Sequence, residues 1–170
     1  MEKQFDTLEK ANYVEEGAKD GNAIIYAFMD PDCSYCHYVW KAFQPYIKAG
    51  LQVRWIPIAF LKPTSAQRAA AILEAKEPAQ ALAENERNFV EASEDGGVAP
   101  IEPSAETMKK LDANKALMVS LGGTGTPMIV WKGPHGEMQT KSGMPSLRAL
   151  PEMTGLPAQV IEDQGLQRFN

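Results

Sequence analysis

The two cysteines of the chain stand three positions apart, in Cys33-Ser34-Tyr35-Cys36-His37. A thiolate attacks disulfides, and a second thiol one helical turn away can displace whatever the first has captured. Residues i and i+3 share a helix face, with Cα atoms near the ~5.5 Å that a disulfide prefers. The spacing supports a dithiol that cycles: Cys33 attacks, a mixed disulfide forms, and Cys36 resolves it.

The flanks place this motif at a strand-to-helix junction. Ala23-Ile24-Ile25-Tyr26-Ala27-Phe28-Met29 is a short apolar run ended by Asp30-Pro31-Asp32, which predicts a buried strand, and Tyr38-Val39-Trp40-Lys41-Ala42-Phe43 has helical apolar spacing. A thiol in the first turn of a helix faces unpaired backbone N–H groups and the positive end of the macrodipole, so Cys33 is the expected nucleophile. The helix terminus is worth roughly 0.3 to 1 kcal/mol, up to ~2 when partly buried, and one pKa unit is about 1.4 kcal/mol. His37 would add to the effect if protonated, and Asp30 and Asp32 oppose it. The expectation is a modest depression of the Cys33 pKa below the free-thiol value of ~8.5.

The same five residues spell C-x-x-C-H, the attachment signature of a c-type haem. That use would consume both sulfurs as thioethers, take His37 as axial ligand and draw a second ligand from the eight methionines. The strand-motif-helix context favours the dithiol. A zinc site has less support, because the only other histidine, His135, stands in a turn and no second cysteine pair exists. No metal and no cofactor are expected.

Bulk properties narrow the partners. A chain of 170 residues fits one domain with its own core, and 44% hydrophobic with 23% charged residues is ordinary for a globular protein. A net charge of -5 supplies no basic stripe, which argues against nucleic acid and anionic membrane surfaces and for a protein substrate. No run approaches the ~18 apolar residues of a membrane span, and the first twenty residues lack a signal-peptide core.

Along the chain, residues 5–17 predict a short helix ending near Gly17, so that residues 1–20 read as a linker-like helix and turn ahead of a catalytic domain over 21–170. Pro45 is expected to kink the motif helix. Residues 51–60 predict a second strand, parallel to the first, with Pro57 near its end. Residues 64–121 predict a helical block, with Thr64-Ser65 as a cap, Pro78 as a start, and 92–100 as its loop. Met128-Ile129-Val130-Trp131 predicts a third strand, Lys132 to Gly136 a hairpin turn, and 137–142 an antiparallel fourth strand. A last helix begins at Ser146, and the polar tail 156–170 is expected to be weakly packed or to add a short helix.

This order, strand, CxxC helix, strand, helical block, Thr-Pro, hairpin, helix, resembles the thioredoxin-like α/β fold with an inserted helical subdomain at about 64–121. More closely, Phe28-Met29-Asp30-Pro31-Asp32-Cys33-Ser34-Tyr35-Cys36, the stretch from Ala70-Ala71-Ile72-Leu73 to Lys76-Glu77-Pro78, and Thr126-Pro127 resemble the DsbC/DsbG family of periplasmic disulfide isomerases, the DsbG branch most. The likeness covers about residues 5–155. It implies a cis bond before Pro127, with Thr126 and Pro127 positioning an extended substrate strand beside the mixed disulfide, and Ser34, Tyr35 and His37 as neighbours of the catalytic Cys33 and Cys36. A haem protein has no need of such a loop.

The resemblance further implies protein substrates bearing disulfides or oxidised cysteines (sulfenic acids), a membrane reductant of the DsbD type, and a periplasmic location. Relatives of this kind carry an N-terminal dimerisation domain, for which residues 1–20 are too short. The expectation is therefore a monomer in this form, in which disulfide reduction outweighs isomerase and chaperone activity. A redox-independent, chaperone-like binding module is the alternative of a different class.

Overall fold

The computed structural model describes residues 2–170, with side chains from Phe5 onward. Its centre is a five-stranded sheet. β2 (Ala23–Met29) lies in the middle, parallel to β3 (Leu51–Pro57) on one side and antiparallel to β4 (Met128–Lys132) on the other. β1 (Val14–Gly17) and β5 (Met138–Ser142) are the edges, giving the order β1-β3-β2-β4-β5. Because both faces of β2 are covered, its sequence is continuously apolar instead of alternating, and Ile25 to Met29 are all buried.

The pleat sends Ile25, Ala27 and Met29 to one face and Tyr26 and Phe28 to the other. On the first face lies α2 (Ser34–Lys48), which connects β2 to β3 and buries Val39, Ala42, Phe43 and Tyr46, an i, i+3, i+4, i+7 stripe. On the second, Leu8 of α1 (Glu2–Glu9) and Met118 of α5 (Ala105–Ser120) cover Tyr26, Phe28, Ile56, Met128 and Val130. Each such side chain contributes about 1.5–3 kcal/mol by leaving water. Two further helices, α3 (Pro63–Leu73) and α4 (Pro78–Arg87), lie with α5 between β3 and β4, which is where the helical block was expected. A last helix, α6 (Leu150–Thr154), follows a 3-10 turn.

One expectation is corrected. The helix read over 5–17 ends at Glu9, and Val14–Gly17 is instead an edge strand, with Val14 opposite Trp55 and Gly17 opposite Gln52. The sequence hides it because the inward position 16 is a glutamate, whose Oε1 accepts from Trp55 Nε1 at 3.0 Å. Gly17 has φ 104°, and a Cβ there would collide with the Leu51 carbonyl. The segment assigned to a linker thus contributes to the sheet. Pro45 lies inside α2, which runs on to Lys48. The tail adds a short 3-10 helix, Gln164–Phe169, one of the two outcomes expected for it; Leu166 is fully buried, and Lys41 of α2 pairs with Asp163 at 2.5 Å.

Candidate active site

The end of β2 and the start of α2 set the reacting atoms. Cys33 is the N-cap of α2, with extended backbone (φ -92°, ψ 119°), so its side chain turns back over the helix terminus. Its Sγ accepts from the Cys36 N–H at 3.1 Å and lies 3.8 Å from the Thr126 carbonyl, to which the thiol donates. Both cysteines are free; Cys33 is 5% exposed and Cys36 1%. The outer sulfur is the reachable one.

The two thiols are pushed apart. The Cys36 thiol donating to it, then the Thr126 side chain and the Cys36 backbone N–H, hold the Cys33 pKa below the ordinary thiol value, against burial and the charge of Asp30. Burial, together with the Cys33 sulfur, pushes Cys36 well up. This is the arrangement a nucleophile and a resolving thiol need: the first ionises more readily than an ordinary thiol, and the second holds its proton more tightly. Iodoacetamide at pH 7 should therefore label Cys33 and spare Cys36. The Cys33 rate should level off at a lower pH than the ~8.5 of a free thiol; equal labelling of both, or a rate still rising steeply through pH 8.5, would contradict the geometry.

The other expected residues divide. Thr126-Pro127 is cis and opens β4, with the Thr126 carbonyl facing Cys33 and the Pro127 carbonyl accepting from Gly143 N at 2.9 Å. Ser34 Oγ donates to Glu94 Oε1 at 3.3 Å. Tyr35 stays 53% exposed beside the motif. The buried His37 ring stacks on Phe89 at 4.7 Å and places Nδ1 3.4 Å from Glu86 Oε1 and Nε2 3.9 Å from Glu91 Oε1. Any positive charge on His37 is answered by those carboxylates. Glu86, wholly enclosed, has its pKa raised by burial despite His37 and Asn85.

What sequence reasoning missed is the support beneath Cys33. Asp30 and Asp32 were read as ending the strand and as charges opposing the thiolate; both are fully buried and accept from many donors. Asp30 takes Asp32 N–H at 2.9 Å, Ser65 Oγ at 2.7 Å, Phe60 N–H at 3.0 Å and Leu61 N–H at 3.1 Å, and burial still raises its pKa. Asp32 takes Arg68 Nη1 at 2.8 Å, Thr64 Oγ1 at 2.7 Å and Gly96 N–H at 2.8 Å. Gly96 fits because a Cβ there would strike Asn85 and the Pro31 carbonyl. Thr64, Ser65 and Arg68 occupy one face of α3's first turns, and that i, i+1, i+4 polar set was the available signal.

No protein-family model matches the chain. The DsbG thiol:disulfide interchange protein of Pseudomonas aeruginosa is 30% identical over 156 residues, covering 89% of this chain and 58% of that protein. That of Escherichia coli K12 is 32% identical over 156 residues, covering 89% and 60%. The chain thus spans about three-fifths of the length of these relatives. A periplasmic thioredoxin-like protein of Salmonella enterica serovar Typhimurium superposes with a TM-score of 0.71 at 18% identity, covering 91% of this chain and 95% of its own. Over the span they share, the chain is similar in sequence to DsbG thiol:disulfide interchange proteins, and its fold is thioredoxin-like.

Proposed function

We propose that the protein is a thiol-disulfide oxidoreductase acting on protein disulfides through the Cys33–Cys36 dithiol. The observation that carries this is the capped sulfur: Cys33 Sγ held 3.1 Å from the Cys36 N–H at the mouth of α2, with the second thiol beneath it.

The cycle follows from that placement. The Cys33 thiolate attacks one sulfur of a client disulfide, a Cys33–client bond forms, and the other client sulfur leaves as thiolate and takes a proton. Cys36 then loses its proton and attacks Cys33; the second client sulfur leaves, and two electrons have passed from the dithiol to the client. If a different client thiol attacks the mixed disulfide first, the outcome is isomerisation. Forming the mixed disulfide removes the Cys33 charge that helps hold Cys36 protonated, so capture itself activates the resolving thiol.

Thr126 and Pro127 position the client: an extended segment beside the mixed disulfide pairs with the Thr126 backbone. Sulfenic acids on client cysteines are substrates of the same thiolate, with water as leaving group. Continuous turnover needs a supply of reducing equivalents, which in a periplasmic setting comes from a membrane dithiol donor of the DsbD type. The nitrogens of the buried His37 ring face the Glu86 and Glu91 carboxylates, which favours the dithiol over haem attachment.

Insulin reduction by dithiothreitol tests the proposal. The wild-type protein should shorten the lag before insulin B-chain precipitation in proportion to its concentration; an unchanged lag at stoichiometric protein would refute it.

A further inference from the structure

The tail packs against Tyr35, which stands between the two cysteines. Residues Gln164–Phe169 form a 3-10 helix anchored by Leu166 and by Asp163, which caps it and pairs with Lys41. Its last turn brings Phe169 edge-on to Tyr35, with centroids 6.2 Å apart, and tilted against Tyr38 at 5.7 Å. Tyr35 and Tyr38 meet edge-on at 5.8 Å. The Arg168 guanidinium lies over both Tyr38 (5.0 Å) and Phe169 (4.8 Å). The result is a three-ring ledge topped by a cation, on the flank of Cys33 reached through Tyr35.

Two features mark this ledge as a surface for a partner. Tyr35 keeps 53% of its area exposed despite two ring neighbours, in the position between the two cysteines. Arg168 is exposed and has no carboxylate within ion-pair distance among the described residues, whereas Lys41, Lys62 and Arg68 around the same site are each paired. A guanidinium over aromatic rings keeps N–H groups that a carboxylate can take.

We infer that the C-terminal segment is a specificity element of the active site: Phe169 and Arg168, with Tyr35 and Tyr38, select extended client segments that carry an aromatic or large aliphatic side chain and an acidic residue next to the reactive cysteine. The inference rests on the proposed oxidoreductase activity. The Thr126 backbone holds the client strand, and the ledge reads its side chains.

The test uses pre-reduced full-length protein and synthetic peptides, each with one cysteine as a glutathione mixed disulfide, flanked by Phe and Glu, by Phe and Lys, or by Gly and Ser. Reduction gives the peptide thiol, free glutathione and the Cys33–Cys36 disulfide, and the second-order rate constant is read from glutathione release. Wild type should prefer the Phe/Glu peptide over Gly/Ser by roughly tenfold, on the scale of one aromatic contact plus one charge pair. Arg168→Glu should reverse the order of the Phe/Glu and Phe/Lys peptides. Phe169→Ala should erase the Phe advantage while leaving the Gly/Ser rate and the Cys33–Cys36 equilibrium with glutathione unchanged. Rates within twofold across all peptides in wild type, or variants that slow every peptide alike, would overturn the ledge while leaving the oxidoreductase standing. A wild type that reduces none of the peptides would sink both.

Discussion

Cys36→Ser is expected to turn a catalyst into a trap. With the resolving sulfur gone, the Cys33–client disulfide can be released only by an outside thiol, so a covalent adduct should accumulate and appear as a reducible band of added client mass. Cys33→Ser should show no adduct and no insulin reduction above background. The asymmetry follows from position: Cys33 caps the helix with a lowered pKa, while Cys36 is 1% exposed and pushed well up by burial. A hydroxyl at 33 is effectively un-ionised near neutrality, so the loss should span several orders of magnitude, of the order seen when covalent nucleophiles are removed. Adducts on Cys33→Ser through Cys36 would invert the assignment.

The second large effect is on stability. Arg68→Ala should cost about 3–5 kcal/mol, because it strands the Asp32 carboxylate, whose side chain is wholly enclosed, without its counter-charge. Against the ~5–15 kcal/mol of a typical domain this is a large share. Urea unfolding followed by tryptophan fluorescence would measure it. Arg68→Lys should recover only part, since a lysine keeps the charge but cannot also reach Asp95 at 3.2 Å and the Val98 carbonyl at 3.1 Å in the fork geometry. A loss under about 1 kcal/mol for Arg68→Ala, the usual size for an exposed pair, would show that Asp32 is not held as described. On the acid side, Lys62 first and then Ser93 hold Asp95 down to about 2. Its contribution is complete above the unfolded carboxylate value near ~3.9 and is lost as pH falls through about 2.

The parts of the site that sequence discloses are those encoded locally. Cys33 and Cys36 declare themselves by spacing, and an apolar run, a turn and a helical stripe within twenty residues suffice to place them at a strand-helix junction. Thr126-Pro127 became legible only through family resemblance, since nothing in a dipeptide reveals that it folds back onto a sulfur 93 residues away. The supporting network was hidden for the same reason. Asp32 meets Arg68 and Gly96, 36 and 64 residues later, and an acid next to a nucleophile looks like an opposing charge until its counter-ion is seen. β1 was obscured by the inward Glu16, whose cost is offset by a tryptophan N–H on the neighbouring strand. The polar composition of the tail left weak packing and a short helix both open, and a single leucine and one ion pair anchor the 3-10 helix that it forms.

The most direct measurement is the equilibrium of the reduced protein with graded mixtures of reduced and oxidised glutathione, acid-quenched and resolved by mass. A single two-electron transition from dithiol to the Cys33–Cys36 disulfide, with glutathionylated protein never more than a minor species, is the predicted result. A stable glutathione adduct as the oxidised end state, or a pair that stays reduced in excess oxidised glutathione, would contradict the account.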